Sequence, residues 1–182
     1  NFGTPDMVCQ CSNKETQLFP PPKEGRNYVK LSLGMDNSVL RTEYIQTELS
    51  NSLIPNEKYK LKFYYRRAPY SQEWVNRLGL LVSECPFSMD QGHNSIHKDR
   101  LQLPKCDKIV TSDSTNFLSD WTQFEYEFIA SGAEKFITIG PFWNEDEKFI
   151  QINTEDVVRS RLTSKMVWVF LDDFSLVLDR KD

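Results

Sequence analysis

The sequence predicts an all-β fold of two antiparallel sheets packed face to face, and three stretches carry the prediction. Residues 121–143, WTQFEYEFIASGAEKFITIGPFW, put Phe124, Tyr126, Phe128 and Ala130 on one side of a period of two. Gln123, Glu125 and Glu127 fall on the other, as a strand with one buried face requires. Ser131 and Gly132 then turn the chain, and Phe136, Ile137, Thr138 and Ile139 follow as a run that is apolar on both faces. The stretch reads as a β-hairpin whose second strand is covered by another sheet. In residues 58–65 lysines alternate with Tyr59, Leu61 and Phe63, a half-exposed strand. Residues 166–178 begin as MVWVFL, break at Asp172 and Asp173, and resume as FSLVL. Carboxylates inside an apolar strand are costly unless paired, hydrogen-bonded or bound to a cation. The pair therefore sits at a solvated bend or serves structure, for instance by holding Ca²⁺.

Taken in order, residues 1–27 hold Gly3, Pro5, the run Pro20, Pro21, Pro22 and Gly25 without a sustained period, and read as an irregular segment crossing the surface. Tyr28, Leu31 and Leu33 mark an early strand over 27–33. Residues 42–49 fit helix or strand by period, and their β-branched residues and Tyr44 favour strand. Pro55, Asn56 and Glu57 make a turn before the lysine-alternating strand. Residues 66–76 form a polar, aromatic loop at one end of the sandwich, and 78–82 is an apolar strand. Residues 86–119 are mostly loop, carrying His93 and His97, with a short strand at 108–110. A charged insertion fills 144–165, and the apolar spacing in 155–162 suits a short helix.

At 182 residues the chain is long enough for one domain with a sizeable core, so residues 1–182 are read as a single unit. The net charge of −4, with no basic run longer than Arg66 and Arg67, argues against a nucleic-acid surface. No apolar stretch approaches the roughly 20 residues that span a bilayer, and no leader opens the sequence, which reads as soluble and as mature or truncated. Cys9, Cys11, Cys85 and Cys106 lack the paired spacing of a zinc site. Cys85 ends an apolar strand and Cys106 opens the next segment, so a disulfide across the polar loop suits an exported protein, with free buried thiols as the alternative.

GTPD at 3–6, EYIQTEL at 43–49, YKLKFYYRRAPYSQEWVNRLGLLVS at 59–83, W-T-x-F at 121–124, GAEKFITIGPF at 132–142 and FLDDFSL at 170–176 occur in this order. Together they resemble the jelly-roll, carbohydrate-binding-module-like domains of secreted and outer-membrane Bacteroidetes proteins, often joined to OmpA-like domains. The resemblance covers most of the chain. It implies a galactose-binding-like β-sandwich, association with sugar or the cell envelope, and a structural Ca²⁺ at Asp172 and Asp173 fastening the last strand to the first. In that family an acidic ligand comes from a first strand that this chain lacks, and the rim after the Ile-rich strand, Gly140, Pro141 and Phe142, is rebuilt by the insertion.

Exposed aromatic rings beside amide and guanidinium groups hold a pyranose by stacking on its C–H face while its hydroxyls hydrogen-bond. Tyr70, Trp74 and Trp143 lie in connections after strands, with Arg66 and Asn144 nearby, whereas Trp121 and Trp168 fall within strand patterns and read as core. A loop-edge site of Arg66, Tyr70, Trp74, Trp143 and Asn144 is therefore expected, provided the 66–76 loop meets the insertion. No nucleophile context stands out, so no catalysis is expected. The expected function is a non-catalytic module at the cell surface or secreted, binding glycan. The alternative is a structural subunit of an envelope complex whose aromatics meet a cell-envelope protein.

Overall fold

The computed structural model describes residues 6–9, 19–35, 43–69, 71, 73–74, 77–86, 109–111, 120–140, 150–151 and 166–179. Their strands are β1 (Asp6–Cys9), β2 (Asn27–Met35), β3 (Ile45–Glu48), β4 (Lys58–Arg67), β5 (Glu73–Trp74), β6 (Arg77–Ser83), β7 (Ile109–Thr111), β8 (Thr122–Ile129), β9 (Phe136–Gly140), β10 (Ile150–Gln151) and β11 (Met166–Leu178). They form a five-stranded sheet, β1-β2-β11-β4-β8, a four-stranded sheet, β3-β9-β6-β7, and a two-stranded ladder of β10 with β5. Setting aside β1, β5, β7 and β10, the first long strand lies beside the last and chain order alternates between the sheets. That is the interleaving of a jelly roll. The all-β sandwich expected from the sequence is the fold of the chain, while the short helix expected at 155–162 lies outside the described residues.

One apolar layer joins the two sheets. β4 is buried at every second residue and turns Leu61, Phe63 and Tyr65 inward, against Leu78 and Leu80 of β6 and Ile137 and Ile139 of β9. β2 adds Leu31 and Leu33, and β11 adds Val167, Val169 and Leu171. The period of two decides this sorting, because neighbouring side chains on a strand point to opposite faces.

β8 and β9 are not the hairpin expected from residues 121–143. β8 pairs with β4 in one sheet, whereas β9 pairs with β3 and β6 in the other. Residues 130–135 arch between them. The Ala130 N–H donates to Glu57 O at 2.9 Å, and the Lys135 N–H donates to Ser83 O at 2.8 Å, so each end of the link is held by a different sheet. Within it the Glu134 carboxylate accepts the N–H groups of Ser131 (2.6 Å) and Gly132 (2.8 Å). Burial pushes that carboxyl up, but these donors and the Ser131 hydroxyl outweigh it and hold it below the usual carboxylate range. Gly132 adopts φ +89°, and an added Cβ would lie 2.4 Å from Pro55 Cγ.

The Asp pair marks a β-bulge. Asp172 lies opposite Tyr64 and Ser175 opposite Lys62, so Asp173 and Phe174 together face Phe63, with Asp173 at φ +50°. The extra residue resets the phase of the strand, letting Leu171 before it and Leu176 after it both pack in the core. Asp172 alternates with Leu171 and so points away from the other sheet, not between the two. A second bulge, where Val167 pairs with Gly34 but Trp168 with Ser32, leaves the Ser32 N–H for the buried Glu43 carboxylate at 2.8 Å.

Candidate functional site

The outer face of the five-stranded sheet is divided by its residues into a charged half and an aromatic half. On the charged half, Lys60 contacts Glu125 at 2.8 Å and Glu127 at 3.1 Å, Lys58 pairs with Glu127 and with Asp179 at 3.2 Å, and Lys62 reaches Glu125 at 3.4 Å. Hydrogen bonds from the lysines hold Glu125 and Glu127 below the usual carboxylate range and raise Lys58 and Lys60. Exposed pairs of this kind add little stability each.

Toward the other end the alternation of β11 changes character: Trp168, Phe170 and Asp172 face outward where Val167, Val169 and Leu171 face inward. Phe170 lies in register with Lys30 on one side and Arg66 on the other. Tyr28 meets Phe170 and Trp121 edge-on, with ring centroids 5.0 and 5.6 Å apart. The Lys30 ammonium stands 4.3 Å from the centroid of the Trp168 ring, a cation–π contact.

Residues 19–24 form a strap over part of this face. Phe19 packs against Phe170 at 6.3 Å, the Trp121 Nε1–H donates to Pro21 O at 3.0 Å, and the Lys23 ammonium sits 4.6 Å from the Tyr64 ring centroid. Asp172, 8% exposed, anchors the strap: its Oδ2 accepts the N–H groups of Lys23 (2.7 Å) and Glu24 (3.2 Å), and its Oδ1 accepts that of Asp173 (2.8 Å). The carboxylate does fasten the last strand to an early segment, through backbone donors. N–H groups facing both oxygens are the complement of an anion, and among the described residues no three His, Cys, Asp or Glu side chains gather to complete a cation shell. The residues present thus give Asp172 a role that needs no Ca²⁺, and Asp173 is exposed at the bulge.

Two polar groups on the aromatic half stand out. The Tyr28 hydroxyl belongs to a residue 3% exposed and has no hydrogen-bond partner among the described residues. Burial raises its pKa far above the usual phenol value, against the pull of Arg66. Arg66 is half-buried, which lowers its pKa while Asp120 raises it through space.

The 66–76 loop is tied to this same end. The Ser71 hydroxyl accepts the Trp168 N–H at 3.0 Å, the Ala68 N–H donates to Trp168 O at 3.0 Å, and the buried Arg67 guanidinium donates to Ser71 O at 2.7 Å. Beyond Ser71, β5 pairs with β10, Trp74 opposite Ile150 and Glu73 opposite Gln151, so the backbone of the loop meets the insertion. Of the expected site residues, Arg66 lies on the outer face and Trp74 in β5, while Tyr70, Trp143 and Asn144 lie outside the described residues. Cys85 is an exposed free thiol, and Cys106 lies outside the described residues. Trp121 and Trp168, read from the sequence as core, instead pack half-buried in this outer cluster. Tyr28, Lys30 and the strap join this cluster without being among the site residues expected from the sequence. The signal was there, in aromatic residues on the alternate positions of MVWVF.

A groove of about 350 Å³ opens between the sheets beside β3 and is lined chiefly by Ile45, Leu49, Ile137, Ile139, Phe174 and Leu176. Phe174, stacked on Phe63 at 5.4 Å, remains 41% exposed there.

No protein-family model matches the chain, and neither does any curated protein. Among solved structures, the K2 cleaved adhesin domain of Lys-gingipain is similar, at 8% identity and a TM-score of 0.50, over 97% of this chain and 83% of that one. The K1 cleaved adhesin domain of Lys-gingipain from Porphyromonas gingivalis W83 gives 10% and 0.46, over 97% and 91%. A family 16 carbohydrate-binding module gives 13% and 0.39, over 85% and 79%. At such identities the first of these shows a shared fold and nothing more, and that fold is the one the ordered motifs implied.

Proposed function

We propose that this chain is a non-catalytic β-sandwich module of an extracytoplasmic protein, and that it binds glycan at the end of the sandwich where the 66–76 loop meets β11. One observation carries the reading. Side chains drawn from distant parts of the sequence, Trp168, Lys30 and Arg66, share one end of the five-stranded sheet, and the Ser71 bridge and the β5–β10 ladder tie the backbone of the 66–76 loop, with Trp74 in β5, to that end and to the insertion. Aromatic faces for C–H stacking beside charged donors are what saccharide recognition uses. In this reading Tyr70, Trp143 and Asn144, which lie outside the described residues, also contact the glycan. The buried carboxylates already have structural duties, Glu43 at a bulge and Asp172 under the strap, which supports binding over catalysis. The solved domain of shared fold carries the name adhesin, an analogy that favours a surface or secreted module.

A glycan array probed with the chain and with Trp74→Ala and Trp143→Ala variants tests the proposal. Binding that weakens in both folded variants supports it. The apolar groove beside β3 favours a second reading, a structural subunit that meets a cell-envelope protein without sugar binding, and an absence of glycan signal together with a co-purifying envelope protein would select it.

A further inference from the structure

The two halves of β11 belong to one strand but do not have the same neighbours. Up to Leu171 the strand is flanked by β2 as well as β4, and its inward side chains Val167, Val169 and Leu171 are fully buried. The ladder with β2 stops at Leu171 opposite Val29, and beyond the bulge only β4 continues among the described residues. There the inward Leu176 and Leu178 are half-buried, and Phe174 is 41% exposed although it stacks on Phe63.

The register says which backbone groups face this gap. The Asp179 N–H donates to Lys58 O at 2.8 Å, so 179 and 58 form a hydrogen-bonded pair, and in an antiparallel ladder such pairs recur at every second residue. Val177 and Ser175 therefore bond to β4, while the N–H and C=O groups of Leu176 and Leu178 point to the open side, where no described strand meets them. On the facing sheet β3 is the outermost strand, and its Ile45, Thr47 and neighbouring Leu49 line the groove of about 350 Å³ together with Phe174 and Leu176. A strand laid beside residues 174–178 would extend the line of β2 and turn alternate side chains down into that groove.

The rim is acidic. Glu48 and Asp173 flank the groove, exposed and without an ion pair among the described residues, and neither β3 nor residues 173–179 contain a lysine or arginine. We propose that the gap is a strand-accepting cleft, taken by an extended segment of another polypeptide with apolar residues at alternate positions and basic residues at its ends. Unpaired strand backbone selects a peptide over an acyl chain, which has no groups to pair with it. Like charge on its own edges disfavours a second copy of this chain. The cleft runs along the half of β11 away from Trp168, so it stands apart from the glycan-binding reading and does not depend on it.

Hydrogen exchange of the full chain by NMR, alone and with the end-blocked peptide KVTVTVK, tests the proposal. In the free chain the Leu176 and Leu178 amides should exchange rapidly while those of Ser175 and Val177, bonded to β4, are protected. Saturating peptide should slow the Leu176 and Leu178 amides at least about tenfold. Methylating one alternate set of peptide nitrogens should weaken binding at least about tenfold, as loss of one or two backbone hydrogen bonds implies, and methylating the other set should not. Affinity should also fall with glutamates in place of the terminal lysines, and in Thr47→Arg, which sets a charge in the groove from an exposed position and leaves the melting temperature unchanged. Leu176 and Leu178 amides already protected in the dilute monomer overturn the proposal, because the chain then fills its own gap. Protection that rises with protein concentration alone, with a dimer in sedimentation, gives the cleft to a second copy and overturns it as well. Dodecanoate binding without peptide binding does the same in favour of an acyl chain. Absence of saturable peptide binding at millimolar concentration, or binding indifferent to methylation and to Thr47→Arg, also overturns it. None of these outcomes bears on glycan binding.

Discussion

Replacing Asp172 by alanine is the sharpest structural perturbation the fold offers, because one side chain there holds both the strap and the bulge of β11. The carboxylate accepts three backbone N–H groups at 2.7, 3.2 and 2.8 Å. A hydrogen bond to a charged group contributes roughly 1.5–3 kcal/mol, and a donor stranded without water costs about as much. Lys23, Glu24 and Asp173 are exposed, so their N–H groups regain water once the acceptor is gone. That puts the loss well below the sum of three such bonds, at about 2–3 kcal/mol in total for Asp172→Ala. Asp172→Asn keeps one acceptor oxygen but turns an amide NH₂ toward an N–H, and should cost about 1–2 kcal/mol. For 182 residues, at about 2–4 °C per kcal/mol, alanine lowers the melting temperature by about 4–12 °C. Urea and thermal denaturation followed by tryptophan fluorescence read the loss, and release of the strap from Trp121 should shift its emission to the red before global unfolding. An alanine variant within about 0.5 kcal/mol of the parent, the ordinary range of a surface change, would refute the anchoring role.

Other consequences follow from the same geometry. Gly132→Ala combines a positive φ with a clash against Pro55 and should destabilise by about 2 kcal/mol or more, measured by chemical denaturation, whereas a neutral effect would deny the arch between sheets. Glu134 has a depressed carboxyl, so its contribution is present above the unfolded value of 4.5 and is lost as pH falls through the folded one. The stability gap between the chain and Glu134→Gln should therefore close on acidification below that value, and a gap that widens there would reverse the sign. Melts with Ca²⁺ and with chelator should superimpose if the three-donor cradle is the whole role of Asp172, while a chelator-sensitive melt with bound metal would place a cation at Asp172 and Asp173. Non-reducing peptide mapping of exported protein tests the expected bond between Cys85 and Cys106, which two free thiols would exclude.

The sandwich was legible because a strand's period of two is written directly in residues 58–65 and 166–178. Register and sheet membership were not, since they depend on partners far away in sequence. The segment joining β8 to β9 looks like a hairpin locally, and only the hold of Glu57 on Ala130 and of Ser83 on Lys135 sends its ends to different sheets. β1, β5 and β10 are too short to show a period, and their pairing is a tertiary fact. The double aspartate announced an irregularity but not its direction; the bulge decided it by giving Asp173 a positive φ and Asp172 to the outer face. Arg66 was found by charge and place in the chain. Trp168 was passed over because an aromatic residue inside an apolar strand reads as core until the second face of the sheet is known to be open.

The central claim, that this fold presents a saccharide site at the Trp168 and Trp74 end, is tested most directly by titrating the folded chain against a glycan array hit with Trp74→Ala and Arg66→Gln measured alongside. The account predicts saturable binding that weakens at least about tenfold in each variant while the melting temperature holds, the loss that one stacking ring or one charge-assisted pair supports. Saturable glycan binding unaffected by both substitutions, or a fully folded chain that binds no glycan, would contradict it.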